Sequence, residues 1–133
     1  MKRKLTFLTT RHVGAIHERV VREFGGDAAV RDHGLLDAAI AMPKATFGGS
    51  YLHNGIPAMA AAYLFHICKN HPFVDGNKRT ALATAEVFLE LNGYCLAADN
   101  KPVYATTVGV ADGSVGKDEL TEFFRKHANT QTP

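Results

Sequence analysis

The sequence predicts an all-α protein, a compact bundle of six or seven helices around one central buried helix. Apolar residues recur at intervals of three and four along most of the 133 residues, which is the helical period. Glycine or proline stands at the ends of several of these periodic segments. Residues 57–68 are apolar nearly all round, so this segment is expected at the centre of the bundle.

Length and composition indicate a single globular domain over residues 1–133, with a disordered tail from residue 128. A chain of this length can bury about two-thirds of its unfolded surface without disulfides. Hydrophobic content is 46%, and the net charge of +2 gives no polybasic surface for membrane or nucleic acid. The apolar run near the start is too short for a signal peptide or transmembrane helix. We therefore expect a cytoplasmic protein that binds neither membranes nor nucleic acid.

The first helix is predicted over residues 10–24. Thr9 or Thr10 can cap its start. One apolar face is predicted from the spacing of Val13, Ile16, Val20, Val21 and Phe24. His12 and His17 lie five residues apart and do not share a face, so both are expected to be solvated or partly buried.

A second helix and a flap are predicted before the central helix. Asp32 or His33 can open the helix, and Pro43 should kink or end it. Residues 47–55 are rich in turn formers and contain alternating large residues. This segment is therefore expected to be a loop or a small flap hairpin.

Three further helices are predicted in the C-terminal half, where helical spacing runs over residues 77–92 and again over 100–111 and 117–127. Residues 94–96 form a short extended piece that could pair with residues 5–8. No repeat, low-complexity tract or linker is found. Almost nothing in the sequence requires a sheet.

A dense polar loop precedes the helix that begins near residue 77. The loop and the first helical residues read His71-Pro72-Phe73-Val74-Asp75-Gly76-Asn77-Lys78-Arg79. The first N–H groups of a helix lack intrahelical partners and carry the positive end of its dipole, so they favour an anion such as phosphate. Lysine and arginine at a helix start oppose the dipole, and an arriving anion would offset that cost.

Four residues of this stretch have side chains or backbones suited to a phosphate, and a fifth is suited to a metal ion bound beside it. Gly76 lets the backbone approach a ligand, Asn77 can cap the helix or bind a phosphate oxygen, and Arg79 offers a bidentate fork. Lys78 adds a point charge. Asp75 can share Mg²⁺ with phosphate oxygens and water.

Two further residues complete the predicted site. His71 is expected to act as the base, because an imidazole can take a proton from an attacking hydroxyl at neutral pH. Phe73 is expected to anchor the loop in the core, since an aromatic ring among charged residues is better suited to packing than to chemistry.

The pattern His-x-Phe-x-Asp-Gly-Asn-Lys-Arg resembles the signature loop of the Fic/Doc family, and its lysine form resembles the death-on-curing (Doc) branch. The resemblance extends more loosely over most of the chain. It implies a Fic/Doc-like helical domain that transfers part of a nucleoside triphosphate to a protein hydroxyl, with ATP and Mg²⁺ as cofactors.

Two positions favour phosphate transfer over AMP transfer. In the commoner family form, which transfers AMP, the position of Lys78 is glycine and that of Leu82 is a second arginine. Doc-like members share both departures and resemble protein kinases, delivering γ-phosphate to a threonine of elongation factor Tu and arresting translation. Gly76 matches the AMP-transferring form, where Doc has alanine, so AMP transfer stays open. A non-catalytic binding module is the third alternative.

Regulation is expected to come from a partner. No serine or threonine lies four residues before any glutamate, so the inhibitory motif of many family members is missing. The resemblance then implies a toxin restrained in trans by a cognate antitoxin. It also implies that the flap lines the groove where the target protein docks, with Tyr51 and His53 as candidate contacts.

Overall fold

A computed structural model describes residues 4–131 of the chain. In that part it has six α-helices and four short strands, so the predicted all-α bundle is confirmed. The helices are α1 (Thr10–Phe24), α2 (His33–Ala41), α3 (Ile56–Asn70), α4 (Asn77–Leu91), α5 (Asn100–Asp112) and α6 (Lys117–His127). A 3-10 turn (Met42–Lys44) that contains Pro43 follows α2, as expected from the proline.

Helix α3 is the central buried helix that the sequence predicts. It packs against α2, α4, α5 and α6, and the alanines at its middle leave room for these neighbours to approach closely. Tyr63 is fully buried, and its hydroxyl accepts a hydrogen bond from the Leu8 N–H at 2.9 Å. Burial raises the pKa of the Tyr63 hydroxyl to about 12, so it stays neutral in the core.

Two helix starts follow from local sequence. The Thr9 side chain accepts from the N–H of His12 while the His12 ring accepts from the Thr9 N–H, which forms a capping box for α1. The Asp32 carboxylate accepts from the Leu35 N–H at 2.9 Å and caps α2. None of the helices in residues 4–131 is long and apolar enough to span a membrane.

The flap is a hairpin of β1 (Thr46–Phe47) and β2 (Ser50–Tyr51), paired antiparallel. Gly48 and Gly49 form its turn, and both have positive φ. Phe47 is 83% exposed at this hairpin.

The second sheet corrects two expectations. Strand β3 (Tyr94–Leu96) pairs antiparallel with β4 (Ala128–Thr130), not with residues 5–8. The tail is therefore ordered over residues 128–130, and the expected disorder of residues 132 and 133 lies outside the described residues.

Long-range pairing explains both errors. The Ala97 N–H donates to the His127 carbonyl at 2.7 Å, and the Gln131 N–H donates to the Gly93 carbonyl at 2.8 Å. Residues 5–8 have other partners, because the Asn92 side chain holds both the N–H and the carbonyl of Thr6 at 2.9 Å.

Candidate active site

The polar loop joins the two helices that form the centre of the fold, α3 and α4. His71 ends α3 with φ 50° and ψ 55°, and it is the single non-glycine residue with positive φ in residues 4–131. Its N–H donates to the Ile67 carbonyl at 3.1 Å, and its side chain is exposed. His71 lines a cleft of about 310 Å³ together with Asp75 and Lys78.

The loop is held from outside by the segment between α1 and α2. The Arg31 N–H donates to the Pro72 carbonyl at 2.7 Å, and the Val74 N–H donates to the Ala29 carbonyl at 3.1 Å. The two extended backbones therefore support each other across the loop.

The inside of the loop rests on a buried histidine that sequence reasoning missed. His17 is 2% exposed, its ring stacks on that of Phe73 with centroids 3.7 Å apart, and its Nε2–H donates to the Asp75 carbonyl at 2.8 Å. The sequence had indicated a solvated or partly buried side chain. The available signal was its spacing with Val13 and Val20, which places His17 on the buried face of α1.

Asn77 closes the loop from within. Its side-chain oxygen accepts from the Phe73 N–H at 3.0 Å, and its side-chain nitrogen donates to the Phe73 carbonyl at 2.8 Å. The side chain is buried and makes no capping hydrogen bond to α4. The predicted contact of Asn77 with a phosphate stays a prediction, and its backbone N–H has no hydrogen-bond partner within residues 4–131.

The first turn of α4 has the free donors that an anion site needs. Gly76 precedes the helix with φ 79°, and the first backbone bond within this turn runs from the Thr80 N–H to its carbonyl at 2.9 Å. Within residues 4–131, the N–H groups of Asn77, Lys78 and Arg79 have no hydrogen-bond partner. These three N–H groups lie at the N-terminal end of α4, which is the positive end of the helix dipole.

A cleft of about 420 Å³ opens in front of this turn. It is lined by Val20, Phe24, Gly25, Gly26, Asp75, Gly76, Asn77, Lys78, Arg79 and Tyr104. The Arg79 guanidinium lies 3.9 Å from the centre of the Phe24 ring and 5.0 Å from that of Tyr104. The two rings hold the cation at the cleft by cation–π attraction.

Asp75 presents a carboxylate to both clefts. Its Oδ2 accepts from the Asp27 N–H at 2.8 Å, while its Oδ1 has no partner in the described part of the chain. A Cβ on Gly26 would lie 3.0 Å from that of Asp75, so glycine is needed for this close approach. No three His, Cys, Asp or Glu residues within 4–131 form a metal cluster, so a metal here would need ligands from a bound molecule or water.

Two ionisable groups near the clefts have shifted pKa values. Burial raises the pKa of the Cys68 thiol to about 11, although Lys78 and Lys69 act in the opposite direction. Cys68 is therefore a protonated thiol beside His71 and not a nucleophile. Burial, followed by repulsion from Glu90, raises the pKa of Glu86 in the adjoining groove along α4.

The two predicted docking residues lie in different environments. Tyr51 is 46% exposed on the flap, whereas His53 is 8% exposed and faces His66 and Lys117. The His53 ring lies 6.5 Å from the ring of His66 on α3, and a contact of Tyr51 or His53 with a target protein stays a prediction. Burial and the charge of Lys117 lower the pKa of His53.

Comparison with known proteins gives one family and two named relatives. The family model described as "Fic/DOC family" matches residues 7–89. The chain is 54% identical to Toxin Doc of Mycolicibacterium smegmatis over 76 residues, which are 57% of this chain and 58% of that protein. It is 30% identical to Protein kinase doc of Escherichia phage P1 over 112 residues, 84% of this chain and 87% of that protein.

Proposed function

Because the chain belongs to the Fic/DOC family, we propose that it is the toxin of a toxin–antitoxin pair and a protein kinase that uses ATP and Mg²⁺. The names of both relatives support this proposal, one as a toxin and one as a kinase. The proposed target is a hydroxyl of a translation factor resembling elongation factor Tu. Its phosphorylation would arrest translation in the cytoplasm.

One observation supports the proposal above the others: the anion-binding turn and His71 open onto adjoining clefts. The cleft in front of α4 and the cleft beside His71 share Asp75, Gly76, Asn77 and Lys78. A triphosphate in the first would have its reactive end near an acceptor hydroxyl in the second. The geometry thus suits group transfer between two bound substrates.

The proposed step is in-line phosphoryl transfer. His71 takes the proton of the acceptor hydroxyl, whose oxygen forms a bond to the γ-phosphorus. The bond from that phosphorus to the β,γ-bridging oxygen breaks, and ADP leaves. The N–H groups of residues 77–79 and the side chains of Lys78 and Arg79 stabilise the phosphate charge.

Asp75 fits the role of the Mg²⁺ ligand. A single carboxylate with a free oxygen at the mouth of a phosphate cleft matches the way Mg²⁺ is held in such sites, where phosphates and water fill the other positions. Bound there, Mg²⁺ would neutralise charge on the phosphates.

Phosphate transfer is preferred to AMP transfer because of Leu82. This apolar residue lines the groove next to Arg79, at the position where AMP-transferring members have a second cation. Gly76 does not argue against this choice. Its φ of 79°, and the 3.4 Å that would separate an added Cβ from the Val20 side chain, favour glycine at this position of this chain on conformational grounds alone.

The proposal is tested with purified elongation factor Tu and ATP labelled at the α or the γ position. We expect label from the γ position alone, and loss of at least about 100-fold for His71→Ala. Label from the α position would assign AMP transfer. No label from either, together with steeply salt-dependent binding of nucleic acid, would assign a binding module.

Restraint by an antitoxin is tested in cells. Expression of the chain alone should arrest growth, and co-expression of the neighbouring small gene product should restore it. Growth that is unaffected by the chain, with His71 intact, would contradict the toxin assignment.

A further inference from the structure

Arg31 bonds to the backbone of the proposed base and of the residues on both sides of it. Its Nε donates to the His71 carbonyl at 2.7 Å, and its Nη2 donates to the Asn70 carbonyl at 2.9 Å. Its own N–H donates to the next carbonyl, that of Pro72, at 2.7 Å. Three consecutive carbonyls around the base therefore accept from one residue.

We propose that Arg31 is a positioning residue that holds His71 in its reactive orientation. This inference rests on the proposed function, because it assigns a role in the same transfer step. Arg31 does not line the cleft in front of α4 or the cleft beside His71, so it acts through the backbone of His71.

His71 needs such support because its backbone conformation is unfavourable. A φ of 50° costs a non-glycine residue about 1–2 kcal/mol. The following residue is Pro72, and a residue before proline favours extended conformations. Glycine is the usual residue at a left-handed helix end, but glycine has no imidazole. A strained backbone conformation of this kind persists only where contacts with the surrounding structure hold it in place.

Arg31 supplies that constraint and matches the local charge. The carbonyls of Asn70 and His71 lie at the C-terminal end of α3, where the helix dipole is negative and a cation is favourable. The planar guanidinium bonds two carbonyls at once, which fixes their relative direction. A single point donor would fix one of them.

The test compares Arg31→Gln and Arg31→Lys with Arg11→Gln. Arg11 is exposed on α1, and its side chain makes no hydrogen bond within residues 4–131, so it is the matched control. We expect Arg31→Gln to lower kcat for transfer about 10- to 100-fold and to leave KM for ATP within about twofold. The kcat of Arg31→Lys should lie between those of the wild type and Arg31→Gln, because an ammonium can still reach one carbonyl.

A second measurement is independent of catalysis. The amide of His71 should be rigid in the wild type, with an NMR order parameter of about 0.85, and should fall below about 0.6 in Arg31→Gln. The amide of Thr80 in α4 should stay unchanged. If the wild type transfers no group, the proposed function fails, and this measurement still decides whether Arg31 holds the backbone of His71 in place.

Three results would each overturn the inference. One is a kcat for Arg31→Gln within twofold of that of Arg11→Gln. Another is a His71 amide as rigid in Arg31→Gln as in the wild type. The third is a rise in KM for ATP with unchanged kcat, because that outcome places Arg31 at the nucleotide and not behind the base.

Discussion

Replacing Asn77 with alanine should destabilise the protein even without any ligand. Its buried amide makes both hydrogen bonds of the Phe73 backbone, at 3.0 Å to the N–H and 2.8 Å to the carbonyl. Phe73 is fully buried, so water cannot readily replace the lost partner at either group. The substitution leaves a buried donor and a buried acceptor unsatisfied.

The size of the loss follows from these two groups. An unsatisfied buried polar group costs about 1–3 kcal/mol, so two of them should cost about 2–4 kcal/mol after partial relaxation of the loop. For a chain of this length, that corresponds to a fall of about 8–16 °C in Tm. Denaturant unfolding followed by circular dichroism in the absence of nucleotide measures it.

Asn92→Ala is the matched control. Asn92 is equally buried, at 5% exposure, and it bonds to the backbone of Thr6 and Phe88 at the opposite end of α4. Both variants should lose stability to a similar extent. If the free energy of unfolding of Asn77→Ala lies within about 0.5 kcal/mol of that of the wild type, the side chain does not brace the loop. That result would favour the contact with a phosphate that the sequence predicts.

Three further changes have outcomes fixed by the structure. The pKa of His66 is lowered to about 4, mainly by burial and further by Lys117 and His53. The imidazole of His66 therefore binds a proton more tightly in the unfolded chain than in the folded one. Stability should therefore fall as pH drops from about 6.5 to 4, by about 1–2 kcal/mol for this partly exposed ring, and His66→Asn should flatten the profile in urea titrations. Phe24→Leu should weaken ATP binding about two- to fivefold by calorimetry, because the ring 3.9 Å from the Arg79 guanidinium is lost; unchanged affinity would refute this. His17→Leu should cost about 1–2 kcal/mol in urea unfolding, because the Asp75 carbonyl loses its donor; a neutral effect would show that the stacked ring is dispensable.

Local features of the fold were predictable from the sequence. The threonine cap of α1, the turn at Gly48 and Gly49 and the apolar central helix each depend on residues within one or two turns of one another. The polar loop was recognisable for the same reason, since its signature occupies nine consecutive residues.

Features that depend on distant residues were not predictable. Strand β3 pairs with a segment more than 30 residues away, and both are too short for a periodic signal. Arg31 reaches the carbonyls of Asn70 and His71 across 39 and 40 positions, and nothing in its own neighbourhood indicates this. The bond from the Asn77 side chain to the Phe73 backbone was not predicted, because a cap residue and a buried brace have the same sequence context and differ only in the direction of the side chain.

In the proposed function, the first turn of α4 binds a triphosphate through its free N–H groups. An NMR titration of the isotope-labelled protein with ATP and Mg²⁺ tests this directly. We expect the amide signals of Asn77, Lys78 and Arg79 to shift together and saturate, while those of the flap strands do not. Saturable binding that leaves these three amide signals in place would contradict it.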